Sequence, residues 1–218
     1  MLFRSVEGAQ VTFEDLWFKV GGNYTTLLLW NSSDIICKQV YFEATTPTNN
    51  EFFIYMDTHS KLTLEGVGMK VPEKHQSAIG MSASELSIRN STIFSKIDLS
   101  EGSKLTLENV HIEIFGNNTI HAKDSEVIAK NSTITGGDLE KDFPPVWLRN
   151  VIWESENCKI ELPTGTGVCL DNNVQFNSDS DHMTSINSYN SMIRAHQATF
   201  SEFLCVYEES FASLTGET

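Results

Sequence analysis

Four groups of residues in this chain are of types that could do chemistry. The stretch "NSDSDHM" offers Asp179, Asp181 and His182, an alternation of oxygen ligands able to suggest Ca²⁺. It lacks the glycine and the distal glutamate of an EF-hand loop, and no CxxC or HExxH spacing suggests zinc. A solvated polar loop is therefore the expectation there, with no cofactor beyond a weak possibility of calcium. Serines recur along the chain, but no histidine recurs with them as the base a nucleophilic serine needs. Carboxylates recur too, but each is followed in the series by a cation. Trp147 is the fourth candidate, and its meaning depends on which way its strand faces.

The elements that would position these residues come from a repeat. "SKLTLE" occurs at 60–65 and again at 103–108, and the longer segments "SKLTLEGVGM", "SELSIRNSTI", "SKLTLENVHI" and "SEVIAKNSTI" share one template. The template reads small, x, apolar, x, apolar, charged, Asn, x, x, apolar. Copies start at Ala9, Ser33, Ser60, Ser84, Ser103, Ser125, Pro144, Thr166, Ser191 and Ser210, on average about 22 residues apart, a solenoid spacing. The period inside each copy is two, which predicts strands.

Pairs such as Leu62/Leu64, Leu105/Leu107 and Val146/Leu148 point inward from a first strand. A second strand begins at Phe18, Phe42, Met69, Ile93, Ile112, Ile134, Trp153, Phe176 and Phe200. A third precedes each small residue, as in "FFIYM", "KIDL" and "FLCVY". The prediction is an all-β, single-stranded parallel β-helix of about ten coils of about 22 residues, one domain over 1–218.

Stacked coils turn equivalent positions into ladders. The turn position is predicted to carry Asn90, Asn109, Asn131, Asn150 and Asn172, since Asn tolerates a left-handed backbone and stacked amides bond one another. With this asparagine ladder the sequence resembles the right-handed, pectin-lyase-like β-helix superfamily. In character it is similar to the passenger β-helices of bacterial surface and autotransporter proteins. The position before the turn reads Glu14, Lys38, Glu65, Arg89, Glu108, Lys130, Arg149, Asp171 and His196, a mostly alternating column that specifies register and argues against catalytic use.

The resemblance brings enzymes into question, because many members of that superfamily cut polysaccharides. The polygalacturonase-like set of Asn-Thr-Asp, Asp-Asp, Gly-His-Gly and Arg-Ile-Lys is absent, as is the pectate-lyase Arg-x-Pro-x-x-Arg. Trp147, between inward Val146 and Leu148, is expected to face outward beside Arg149, with Ile128 and Cys169 as stacked neighbours. That strip is a candidate contact for a sugar or a protein. The competing and preferred reading has the loop "GGDLEKDFPP" folded over it. The longest insertions ("KVGGNYTT", "EATTPTNNE", "KVPEKHQ", "TGGDLEKDFPP" and "NSDSDHMTS") are expected between second and third strands, on one side of the rod.

Composition narrows the function classes. The net charge of -14 repels phosphate backbones and anionic membranes, and no apolar run reaches the roughly 18 residues a span needs, so neither nucleic-acid binding nor membrane insertion is expected. Cys37, Cys158, Cys169 and Cys205 occupy no matching positions and are predicted to be free thiols. A glycan on a ladder asparagine would disrupt the stack, so the sequons are poor evidence for eukaryotic secretion. Uncapped β-helix ends invite association, so a longer chain, a neighbouring domain or self-association is expected there.

The expected function is a non-enzymatic binding or structural rod, secreted or on a bacterial cell surface, with a carbohydrate or protein ligand. A polysaccharide-active enzyme with an atypical site is the alternative, and two or three close carboxylates in one cleft would favour it. An intracellular acidic nucleic-acid mimic is a third reading, and the cytoplasm stays open.

Overall fold

The computed structural model describes residues 3–5, 7–20, 27–44, 53–70, 79–114, 120–136, 144–163 and 166–216. All regular structure among them is β-strand, paired in parallel. The chain visits three sheets in turn and returns to the first one level higher, which is a parallel β-solenoid.

Ten strands stack on the first sheet: Gln10–Glu14, Asp34–Lys38, Lys61–Glu65, Glu85–Arg89, Lys104–Glu108, the second halves of Ile120–Lys130 and Val146–Glu156, then Gln175–Asp179, Met192–His196 and Phe211–Thr215. The second sheet runs from Trp17–Val20 through Tyr41–Ala44, Gly68–Lys70, Thr92–Phe94, His111–Ile114, Thr133–Gly136 and Lys159–Glu161 to the beginnings of His182–Tyr189 and Thr199–Tyr207. The third starts at Phe3–Ser5 and includes the first halves of Ile120–Lys130 and Val146–Glu156 and the strand Val168–Asp171. Inward residues of all three sheets form one continuous apolar core, in which Leu64, Leu105, Leu107, Ile112 and Phe42 are fully buried. Aromatics stack along the axis inside it, Phe18 on Phe42 at 5.2 Å and Trp153 on Phe176 at 5.6 Å.

Register departs from the sequence prediction over 144–190. Val146, Trp147, Leu148 and Arg149 pair with Ile120, His121, Ala122 and Lys123 on the third sheet, not with 127–130. The first-sheet strand of that coil is its continuation, with Trp153 against Val127 and Glu156 against Lys130. Likewise Val168–Asp171 belongs to the third sheet, and Phe176 is a first-sheet residue.

The physical reason is a degenerate corner. Both the corner leaving the first sheet and the one entering it turn through a residue with positive φ, and asparagine serves at both. At the exit these are Asn90, Asn109, Asn131 and Asn157 (φ 49, 54, 47 and 53°), and at the entrance Asp124, Asn150, Asn172 and Asn190 (φ 50, 51, 56 and 45°). The expected single asparagine column is thus two. At the exit, Asn109 donates to Asn90 at 3.2 Å. At the entrance, Asn150 donates to Asp124 at 2.7 Å, Asn173 to Asn150 at 3.2 Å and Asn190 to Asn172 at 3.4 Å.

The uniform serines do more than fit a bend. Ser33, Ser60, Ser103 and Ser125 are buried, and each hydroxyl donates to a backbone carbonyl two or three residues earlier, at 2.6 to 2.7 Å. A buried carbonyl left unpaired would cost roughly 1–3 kcal/mol. At the exit corner Ser91 and Ser132 accept from the amides of Val67 and Val110 one coil below. Serine is selected there by hydrogen bonding as well as size.

The corner between second and third sheets carries the length variation. Segments 21–26, 45–52, 71–78, 115–119, 137–143 and 164–165 join a second-sheet strand to a third-sheet strand and lie outside the described residues. The insertions "KVGGNYTT", "EATTPTNNE", "KVPEKHQ" and "TGGDLEKDFPP" fall largely within them. "NSDSDHMTS" does not: it forms the end of Gln175–Asp179, the corner and the start of His182–Tyr189.

Candidate functional site

The outer surface of the first sheet has three columns, and their chemistry changes halfway along. From Lys61 up to Glu156 the two flanking columns carry ion pairs. Lys61 meets Glu85 at 2.9 Å, Lys104 meets Glu126 at 2.9 Å, Arg89 meets Glu108 at 3.4 Å and Lys130 meets Glu156 at 3.0 Å. Between them run small or apolar side chains, Thr63, Ser87, Thr106 and Ile128. Above Ile128 this middle column becomes Glu154, Asn177, Arg194 and Ser213. The flanking column becomes Glu156, Asp179, His196 and Thr215.

Glu154, Asn177, Asp179, Arg194 and His196 line a shallow depression of about 310 Å³. Among the described residues neither Arg194 nor Glu154 is in an ion pair, and both are exposed. His196 holds Thr215 through Nδ1 at 3.1 Å. The depression therefore presents a free guanidinium, an amide, an imidazole and two carboxylates on a rigid sheet.

Behind it the core turns polar. Trp153 donates to Ser155 at 2.9 Å, and Ser155 donates to the Asp181 carboxylate. Asp181 also accepts from Ser178 at 2.7 Å and from the backbone amide of Cys158 at 2.7 Å. Burial pushes its carboxyl above the ordinary range, and the bonds from Ser155, the Cys158 amide and Ser178 partly oppose that. Asp181 occupies the exit-corner position that Ser91 and Ser132 hold lower down, and does the same job for the coil beneath.

The sequence-predicted residues scatter. Asp179 is exposed at the end of its strand, Asp181 is 1% exposed and faces the serines, and His182 is exposed on the second sheet with Nδ1 on Thr199 at 2.7 Å. The three look into different surroundings and do not form a polar loop. Among the described residues no three His, Cys, Asp or Glu side chains gather as metal ligands would.

Trp147 and Arg149 lie on the third sheet, and Ile128 on the first, so the strip expected from Trp147 and Ile128 does not exist. Cys169 is the Trp147 neighbour as expected, but the other neighbour is His121, stacked at 4.6 Å with its Nδ1 3.1 Å from Asp98. Arg149 pairs with Asp171 at 3.9 Å. All four cysteines are free thiols, as predicted, and burial pushes Cys37 up to about 12 and Cys158 and Cys169 up to about 11.

Glu154, Asn177 and Arg194 escaped sequence reasoning. Their signal is present: each is a large polar residue at a position that lower coils fill with Thr, Ser or Ile. The degenerate asparagine corner hides it, because the sequence pattern alone puts two of the three coils on the wrong sheet. Comparison of the chain with protein-family models, with curated proteins and with solved structures found no match.

Proposed function

We propose that this solenoid is a binding rod whose ligand is a carbohydrate held across the upper coils of the first sheet. One observation carries the reading: Arg194, Asn177 and Glu154 share one depression with no ion pair to either charge among the described residues, on a sheet where Lys61, Arg89, Lys104 and Lys130 are each ion-paired. Hydroxyl-rich ligands are recognised by such mixed donors and acceptors on a rigid support. An open, shallow site suits one stretch of an extended polymer. Work at a cell surface or outside the cell accords with this role.

Glycan-array binding by the native protein and by Arg194→Ala and Asn177→Ala tests it. Each variant is expected to lose tenfold or more of the affinity for whichever glycan the native chain binds. Equal binding by the variants would remove the depression from consideration.

A second reading has a specific observation in its favour. Glu154 and Asp179 share the depression, as a carboxylate pair for cleavage of a polysaccharide would. Release of reducing ends by the native protein, lost in Glu154→Gln with binding retained, would establish it.

A further inference from the structure

At the opposite end of the rod the second sheet carries a feature that the first-sheet reading leaves unused. Trp17 and Tyr41 are register partners on adjacent coils and face outward, 64% and 39% exposed. Their rings meet edge to face, centroids 5.9 Å apart at 77°. The next residue in that column is Gly68. A Cβ there would lie 2.5 Å from Tyr41 Cδ2 and 2.8 Å from Cε2, so the Tyr41 ring occupies the space a side chain would take. Gly68 thus lets Tyr41 lean across the sheet while Trp17 stands as a wall beside it.

The neighbouring outward column supplies charge at the same two levels. Lys19 and Glu43 pair at 3.7 Å, and the Lys19 ammonium sits 5.5 Å from the Trp17 ring centre. Two exposed aromatic rings at an angle, with the Lys19 ammonium over Trp17 and its partner Glu43 beside it, make a small aromatic corner with one donor and one acceptor.

We propose that the Trp17–Tyr41 corner binds a pyranose ring, its apolar C–H face on the aromatics and its hydroxyls on Lys19 and Glu43. The size of the patch favours a sugar over a protein. Above Gly68 the column continues as Thr92, His111 and Thr133, so the aromatic surface ends after two coils. A standard protein interface needs about 800 Å² from each partner. A rigid aromatic with a polar rim gives a ring-sized ligand both contact area and hydrogen bonds. The site lies on a different sheet from the Arg194 depression and stands independently of it. If both take parts of one polymer, the rod binds it bivalently, and long chains bind more tightly than short ones.

The test is calorimetric titration of the native protein, Trp17→Ala, Tyr41→Ala, Gly68→Ala and Arg194→Ala. The probes are hexasaccharides of β-linked glucose, of N-acetylglucosamine and of galacturonate, with a proline-rich decapeptide as the competing class. Circular dichroism checks the fold of each variant, and Gly68→Ala displaces the Tyr41 ring without removing an aromatic. The expected result is a hexasaccharide bound by the native chain and bound at least tenfold more weakly by all three corner variants, and by Arg194→Ala as well where both sites hold one polymer. Loss in Arg194→Ala alone would overturn this proposal and leave the first-sheet reading standing. Loss in the corner variants alone would do the reverse. Failure of the native protein to bind any of the three sugars, or binding of the peptide alone, would also overturn it.

Discussion

The lower and upper halves of the first sheet share one backbone and differ in everything attached to it. Below, most inward positions are Leu, Ile and Val, and Lys61, Arg89, Lys104 and Lys130 each pair with a carboxylate one coil up. Above, Trp153 and Phe176 fill the core beside Ser155, Ser178 and a buried Asp181, and Glu154, Asp179 and Arg194 are in no ion pair among the described residues. Stacked identical coils need only repeat themselves to be stable, whereas a site must break the repeat and then satisfy what it breaks. Larger aromatics crowd the interior, smaller serines make room for them, and the serine hydroxyls call for an acceptor that Asp181 provides.

The largest effect that would sharpen this contrast is in the upper core. Trp153→Ala is expected to cost about 3–5 kcal/mol in urea unfolding, from cavity and lost transfer energy together. Leu105→Ala, in the regular half, is expected to cost about 2–5 kcal/mol and to leave the Asp181 network intact. A Trp153→Ala cost below that of Leu105→Ala would show that the upper core is the more loosely packed.

Asp181→Ala comes next. It leaves the Cys158 amide and two hydroxyls without their acceptor, a loss of about 1–3 kcal/mol. Asp181→Asn keeps an acceptor for the amide and is expected to be milder.

The pH dependence follows from the same residue. Burial raises the folded-state pKa of Asp181 above its unfolded value. Its stabilising contribution is therefore full below about pH 4 and is lost as pH rises through the folded value. The stability of Asp181→Asn relative to the native protein should thus increase with pH above about 4, measured by thermal melts across a pH series. A constant difference would mean that the serine and amide bonds cancel the cost of burial.

The smallest effect belongs to the lower surface. Arg89→Glu places three like charges in one column, Glu65, position 89 and Glu108. The expected loss is below about 1 kcal/mol, and it should shrink at high salt. A larger loss would mean that the charge columns hold the coils together rather than specify their register.

Much of the fold was legible because strand alternation and stacking repeat one constraint many times. Leu62/Leu64, Leu86/Ile88 and Leu105/Leu107 announce inward pairs at matching registers, and the structure places them so. The predicted alternation of charge also continues to Lys130, though its next member is Glu156 rather than Arg149. What misled the reading was local equivalence: "LRNVIW" and "LENVHI" turn through the same backbone conformation at different corners. Nothing within either hexapeptide distinguishes them.

The sequence by itself determined a solenoid of parallel strands, its inward residues, its free thiols and the corner where its length varies. Period-two patterning and side-chain size act locally and need no knowledge of which sheet a strand joins. Only the tertiary structure decided which coils put Glu154, Asn177 and Arg194 on one surface, which hydroxyls meet Asp181, and that Tyr41 lies across Gly68. Apart from Ser178 on Asp181, three positions away, those contacts join neighbouring coils, as Asp181 joins Ser155, 26 positions back. Their geometry is fixed by which strand stacks on which, and that is settled by packing the whole core at once.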